Sequence, residues 1–119
     1  MKYLLSIILI VSIPFVTNAQ DKAEEISPQL IEANANDITS EYNKKLFLTG
    51  VQLPLFKKKV TEFLYKAEDI KNSLSGKEKL DALYLLQTEE AKYMQDILTQ
   101  TQYRQYLKLR SNIQPLERS

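Results

Sequence analysis

The stretch "PLFKKKVTEFLYKAEDIKNSL", residues 54–74, decides the fold class of this 119-residue chain. Its apolar residues recur at intervals of four, three, four, three and four, which is the spacing of one face of an α-helix. A repeat of this kind forms a coiled-coil-like seam, so we expect the face to be buried against a second helix. The seam residues are Phe56, Val60, Phe63, Ala67, Ile70 and Leu74.

Start and stop signals place three more helices around the seam helix, which should run from about residue 50 to residue 72. Ser27, followed by a proline, opens the first helix, which should end near Leu46. Ser75 can cap the third, with a glutamate three residues later to complete a capping box. Thr99 opens the fourth, and Pro115 stops it. The apolar faces comprise Ile31, Ala35, Ile38, Tyr42 and Leu46; Leu80, Leu83, Tyr84, Ala91, Met94 and Ile97 or Leu98; and Tyr103, Tyr106, Leu107 and Ile113.

Composition supports the same fold class. The chain has two Gly and four Pro, too few turn residues for a strand-rich domain. It has no Cys, so stability must come from apolar packing, with dimerisation as an additional source. We predict an all-α fold of four helices built around a long antiparallel helical hairpin.

The first 20 residues, "MKYLLSIILIVSIPFVTNAQ", read as an export signal. Lys2 supplies the positive start, an apolar run follows, and small residues lead to a cleavage site after Ala19. An uncleaved anchor is the alternative, but the run is shorter than the ~20 residues that span a bilayer. We therefore expect a signal peptide at 1–19, one helical domain at 20–114 and a frayed tail at 115–119, with no membrane span after cleavage.

The skeleton Leu-Thr-x-x-Gln occurs twice, at residues 48–52 and 98–102. Thr followed three residues later by Gln is a capping box, in which each side chain satisfies a free backbone N–H at a helix start. The leucine before each Thr should pack on the residue after the Gln, Leu53 or Tyr103. The motif residues are Leu48, Thr49, Gln52, Leu98, Thr99 and Gln102.

Several function classes are disfavoured by composition. The formal net charge is +1, far from the basic excess of a nucleic-acid binder. The chain has no His and no Cys, so the usual nucleophile and base pairs of enzymes are missing. The adjacent acids Glu89 and Glu90 should point in different directions as solvated surface. We expect no catalysis, no metal site and no cofactor.

The paired motifs resemble those of the Spy/CpxP-like proteins, small exported all-helical proteins with two LTxxQ motifs. Leu48-Thr49-x-x-Gln52 and Leu98-Thr99-x-x-Gln102 fit that pattern position by position. The resemblance implies a periplasmic ATP-independent chaperone that binds unfolded or misfolded envelope proteins in a stress response, working as a curved homodimer. Two alternatives remain open: an accessory regulator that binds an envelope-stress sensor, and a structural protein-binding bundle. Pro54 departs from the pattern, and its missing N–H could distort the first box.

The stretch "FKKKVTEFLYK", residues 56–66, is the candidate client-binding surface. Basic charge would speed the capture of acidic unfolded chains, and apolar side chains would retain them. In the alternative interpretation, the phenylalanines are core residues and the lysines form a solvated rim with their stems lying along it. The candidate residues are Phe56, Lys57, Lys58, Lys59, Phe63 and Lys66.

Overall fold

The computed structural model describes residues 27–116, which form four helices and no strand. They are α1 (Pro28–Leu46), α2 (Gln52–Ser73), α3 (Gly76–Ile97) and α4 (Gln100–Ile113). The predicted all-α fold of four helices is thus confirmed. The predicted signal peptide and the last three residues lie outside the described part of the chain. No helix within residues 27–116 has the length and apolar character to cross a membrane.

Local side-chain hydrogen bonds fix both ends of α1. The Ser27 hydroxyl accepts the N–H of Leu30 at 3.2 Å, so this residue caps the helix as predicted. At the other end Phe47 adopts the left-handed conformation, with φ of 53°, and ends the helix after Leu46. The Asn43 side chain then accepts the next N–H in the chain at 2.8 Å, which directs the connection toward α2.

Helices α2 and α3 form the predicted antiparallel hairpin, joined by Leu74 and Ser75. Ser75 sits at the N-cap position of α3, but its side chain makes no capping hydrogen bond, so the capping predicted there was wrong. Gly76 starts the helix instead with φ of +59°. That backbone conformation strains any residue with a Cβ, which makes this glycine the residue on which the tight turn depends.

Three aromatic rings form the centre of the core. Tyr42 of α1 lies 5.2 Å from Phe56 of α2 and 5.2 Å from Tyr106 of α4, measured between ring centroids. Phe56 and Tyr106 meet edge to face at 6.0 Å. Met94 contributes the fully buried side chain of α3. Each helix therefore supplies one large buried residue to a common core, and edge contacts of this kind stabilise it beyond area burial alone.

Burial decreases along the hairpin because α4 is shorter than its neighbour. Helix α4 has 14 residues and α3 has 22, and Gln114, just after α4, reaches only as far as Gln87, midway along α3. The seam is accordingly buried from Phe56 to Phe63, half-buried at residues 67 and 70, and 36% exposed at Leu74. Tyr84, predicted on the apolar face of α3, is 59% exposed, so that prediction was wrong.

Candidate functional site

The two Leu-Thr-x-x-Gln motifs meet at one end of the bundle, and both make the reciprocal hydrogen bonds of a capping box. Thr99 is the N-cap of α4, whereas the Thr49 and Gln52 bonds close the turn that leads into α2, whose N-cap residue Val51 has no side-chain cap of its own. Thr49 Oγ1 accepts the Gln52 N–H at 3.1 Å, and Gln52 Oε1 accepts the Thr49 N–H at 3.0 Å. The corresponding distances in the second box, Thr99 with Gln102, are 3.2 and 2.9 Å. Each motif therefore satisfies two backbone donors at the start of its own helix.

The glutamines of the two motifs also bond to each other. Gln52 Nε2 donates to Gln102 Oε1 at 2.7 Å, and Gln102 Nε2 donates to Gln52 Oε1 at 3.0 Å. We call the four residues Thr49, Gln52, Thr99 and Gln102 the glutamine clasp. The clasp joins the starts of α2 and α4, which are 50 residues apart in sequence.

The remaining amide N–H of each glutamine caps the helix that precedes the other motif. Gln52 Nε2 donates to the Ile97 carbonyl at 3.1 Å, at the end of α3. Gln102 Nε2 donates to the Leu46 carbonyl at 3.1 Å, at the end of α1. The clasp thus fixes two helix starts and two helix ends at once. An amide offers two donors and two acceptor lone pairs, and both side chains use all of them.

This bonding explains why the residue is Gln. A glutamate in the same position could close the capping box, since the box needs only an acceptor. It could not donate to the opposite glutamine or to the helix-end carbonyl, because an ionised carboxylate has no hydrogen to donate. Each box was predicted from its own motif, whereas the hydrogen bonds between the two glutamines were not predicted; the repetition of the motif was the signal for them.

Pro54 leaves the first capping box intact. Both box hydrogen bonds form, and Leu53 N–H donates to the Thr49 carbonyl at 2.9 Å in the first turn. Pro54 follows that turn, so the backbone N–H that it lacks would have been donated to the carbonyl of the exposed Gly50.

The leucines that precede the two threonines lie at the core. Leu98 belongs to the buried core and Leu48 packs against it. Leu53, on which Leu48 was predicted to pack, is 37% exposed.

The predicted client-binding stretch divides into a buried and an exposed part. Phe56 and Phe63 are buried in the core, so they are not accessible to a client in this conformation. Lys57 Nζ lies 3.8 Å from Glu32 Oε1 of α1, and Lys66 Nζ lies 5.1 Å from the centroid of the Phe63 ring. This arrangement matches the alternative interpretation, in which core phenylalanines carry a solvated basic rim.

Other aromatic residues accompany these lysines on the outside of the hairpin. Lys59 Nζ forms an ion pair with Glu62 Oε1 at 3.0 Å. The same nitrogen lies 4.2 Å from the centroid of the Tyr93 ring, which is a cation–π geometry. Tyr93 and Lys66 line one shallow surface depression, while Tyr65 and Lys58 line another. Both tyrosines are exposed. We call this surface the hairpin face; its residues are Lys58, Lys59, Tyr65, Lys66 and Tyr93.

Glu90 is buried, with 3% of its surface exposed, so the prediction of a solvated side chain was wrong. It lies four residues after Leu86 and four before Met94, on the inward face of α3. Gln114 Nε2 donates to its carboxylate at 3.4 Å. The Gln114 side-chain oxygen in turn accepts the Tyr42 hydroxyl at 2.7 Å. A buried polar cluster therefore connects α1, α3 and the end of α4.

Burial dominates the electrostatics of this cluster. It raises the pKa of Glu90 to about 7, against the opposing effects of the Gln114 hydrogen bond and the Arg110 charge. Burial, followed by the nearby Glu90 charge, also raises the pKa of the Tyr42 and Tyr106 phenols. The carboxyl is thus the group in this cluster that titrates near neutral pH. Within residues 27–116 no group of three or more acidic, His or Cys side chains could hold a metal ion.

Comparison of the chain with known protein families, with curated proteins and with solved structures finds no match. The resemblance to the Spy/CpxP-like proteins therefore rests on the two motifs and on their arrangement in a helical domain.

Proposed function

We propose that this protein is a periplasmic, ATP-independent chaperone that binds unfolded or misfolded envelope proteins during stress. The observation that carries the proposal is the glutamine clasp, because it makes the two motifs of the resemblance one structural unit. The clasp holds the base of the bundle together, while the hairpin extends beyond α4. A homodimer, with the two hairpins facing a shared client, belongs to the same proposal.

The hairpin face is the surface that we assign to clients. Three lysines there lie beside two exposed tyrosines, so charged groups and apolar ring surface alternate over a short distance. Lys59 is paired with Glu62, which leaves Lys58 and Lys66 as the lysines of the face without a carboxylate partner within residues 27–116. Charge accelerates the capture of acidic unfolded chains, and rings retain apolar segments without demanding one sequence. This assignment replaces the two buried phenylalanines of the sequence-based candidate with exposed tyrosines.

Light scattering tests the proposal directly. The predicted mature chain, residues 20–119, is added in equimolar amounts to several unrelated unfolding proteins without nucleotide. A Lys58→Glu/Lys59→Glu/Lys66→Glu variant reverses the charge of the hairpin face and leaves Lys57 paired with α1. The matched control carries the same change of net charge at exposed lysines elsewhere, namely Lys45→Glu/Lys77→Glu/Lys108→Glu.

The proposal expects suppression of aggregation by the native chain and the control, and weaker suppression by the hairpin-face variant. Equal weakening in both variants would contradict the assignment of the face, since only net charge would then matter. A folded native chain that suppresses nothing would contradict the chaperone function and favour binding to a single sensor domain, which co-purification from the envelope would identify.

A further inference from the structure

A cavity of about 250 Å³ lies beyond the end of α4. It opens between α1, α2 and α3, where a longer fourth helix would have packed, and among residues 27–116 it is the segment 113–116 that covers it. A protein cavity of about 150 Å³ holds benzene, so this one has room for a small organic molecule. Its apolar walls are formed by Ile38, Phe63, Leu64, Leu83, Leu86 and Ile113.

One buried charged residue lies on the cavity wall. Glu90 is 3% exposed, and its hydrogen bond from Gln114 is long at 3.4 Å. Arg110 is near enough to influence this carboxylate, but among the described residues the two form no ion pair. Burying a carboxylate without a cationic partner is costly, which is why the pKa of Glu90 is raised to about 7; above that pH the ionised carboxylate presents an unmatched negative charge to the cavity.

The charge distribution around the cavity selects the ligand. Lys71 is the other charged residue among those that line it, and it is exposed, where solvent screens its charge. A cation placed deep in the cavity meets Glu90, whereas an anion placed there meets a buried negative charge. An alcohol of the same shape gains only the apolar contacts and a neutral hydrogen bond.

We propose that this cavity binds a small amphipathic amine, with its alkyl or aryl body between α2 and α3 and its ammonium group on the Glu90 carboxylate. The ammonium group donates hydrogen bonds to the carboxylate and matches its charge, which a buried ion requires. The binding is independent of the proposed chaperone function, because none of the hairpin-face residues lines the cavity. The two surfaces are nearest at Phe63, whose ring lines the cavity and lies below Lys66.

Calorimetric titration with hexylamine, hexanol and hexanoate tests the inference. At about pH 8.5 both the carboxylate of Glu90 and the amine are ionised, so hexylamine should bind at least about tenfold more tightly than hexanol. Hexanoate should bind most weakly. At about pH 5.5 the Glu90 carboxyl takes up a proton, and the preference for the amine should fall.

Three variants assign the effect to this site. Glu90→Gln keeps the shape and removes the charge, so the preference for hexylamine over hexanol should disappear. Glu89→Gln makes the same change at the exposed neighbour and should leave the preference intact. Ala67→Leu fills the cavity while Glu90 stays in place, and it should weaken the binding of both probes.

Equal affinity of the native chain for hexylamine and hexanol would overturn the proposal, as would a preference that survives Glu90→Gln. Absence of binding by a folded native chain would overturn it as well. Circular dichroism of each variant shows whether it is folded. If Glu90→Gln does not fold, the comparison of the native chain with the Glu89→Gln variant and with the Ala67→Leu variant decides the question. Aggregation suppression measured on the same samples reports separately on the chaperone function.

Discussion

The glutamine clasp predicts a specific departure from additivity when its two glutamines are replaced. Gln52 and Gln102 each make four side-chain hydrogen bonds, and the two bonds between them are shared. Gln52→Ala therefore removes four hydrogen bonds, and so does Gln102→Ala. The double variant removes six, because the shared bonds can be lost only once.

The size of the effect follows from the net value of a hydrogen bond, about 1 kcal/mol. Each single variant should lose roughly 4 kcal/mol of unfolding free energy and the double variant roughly 6 kcal/mol. The coupling energy is then about 2 kcal/mol, well above the few tenths seen for independent sites. Both glutamines are half-buried, so water can replace only some of the lost hydrogen bonds, and the variants lose unfolding free energy for the rest.

Urea unfolding followed by circular dichroism measures all three variants, with the slope against urea checked for constancy. A matched cycle uses Gln100→Ala in place of Gln102→Ala, because Gln100 is exposed in the same helical turn and makes no clasp bond. That control cycle should be additive. Additive losses in the Gln52 and Gln102 cycle would refute the pairing, even if each single variant were strongly destabilised.

The remaining predictions concern three local features. Thr99→Ala should cost about 1 kcal/mol in urea unfolding through loss of the cap, whereas Thr101→Ala, exposed in the same first turn of α4, should cost little; equal costs would contradict the capping role. Gly76→Ala should strain the backbone by about 1 kcal/mol and so lower the melting temperature. Gly50 has no positive φ, so Gly50→Ala should leave the melting temperature unchanged. An unchanged melting temperature for Gly76→Ala would contradict the strain. Burial of Glu90 raises its pKa from 4.5 to about 7, so the contribution of Glu90 to stability should be greatest below about pH 4.5 and fall by about 3 kcal/mol as the pH rises through 7. Glu90→Gln should remove this component of the pH profile, and an unaltered profile would show that Glu90 does not cause it.

The helices could be predicted because the information that specifies them is local. The apolar period of α2 and the capping residues Ser27 and Thr99 act within one or two helical turns. The half-exposed tip of the hairpin could not be predicted so easily, since it depends on how far α4 extends beside α3. Tyr84 lies in that region, and a periodicity argument assumes a partner along the whole helix.

The candidate site was predictable in parts. Each capping box is a four-residue pattern, but the bond between Gln52 and Gln102 depends on how α2 and α4 dock. Glu90 was wrongly predicted to be solvated because it is adjacent in sequence to Glu89, which is exposed. Its spacing from Leu86 and Met94 is the spacing of one helix face and would have placed it inward.

The side-chain amide protons of Gln52 and Gln102 provide the most direct test of the clasp. Nuclear magnetic resonance spectra of the native chain should show both amide groups exchanging slowly with water and a cross-peak connecting them. Gln52→Ala should also speed the exchange of the Gln102 amide proton that is donated to Gln52, while the proton donated to the Leu46 carbonyl stays protected. Exchange as fast as that of the exposed Gln100, with no cross-peak between the two groups, would contradict the account that the two motifs form one unit.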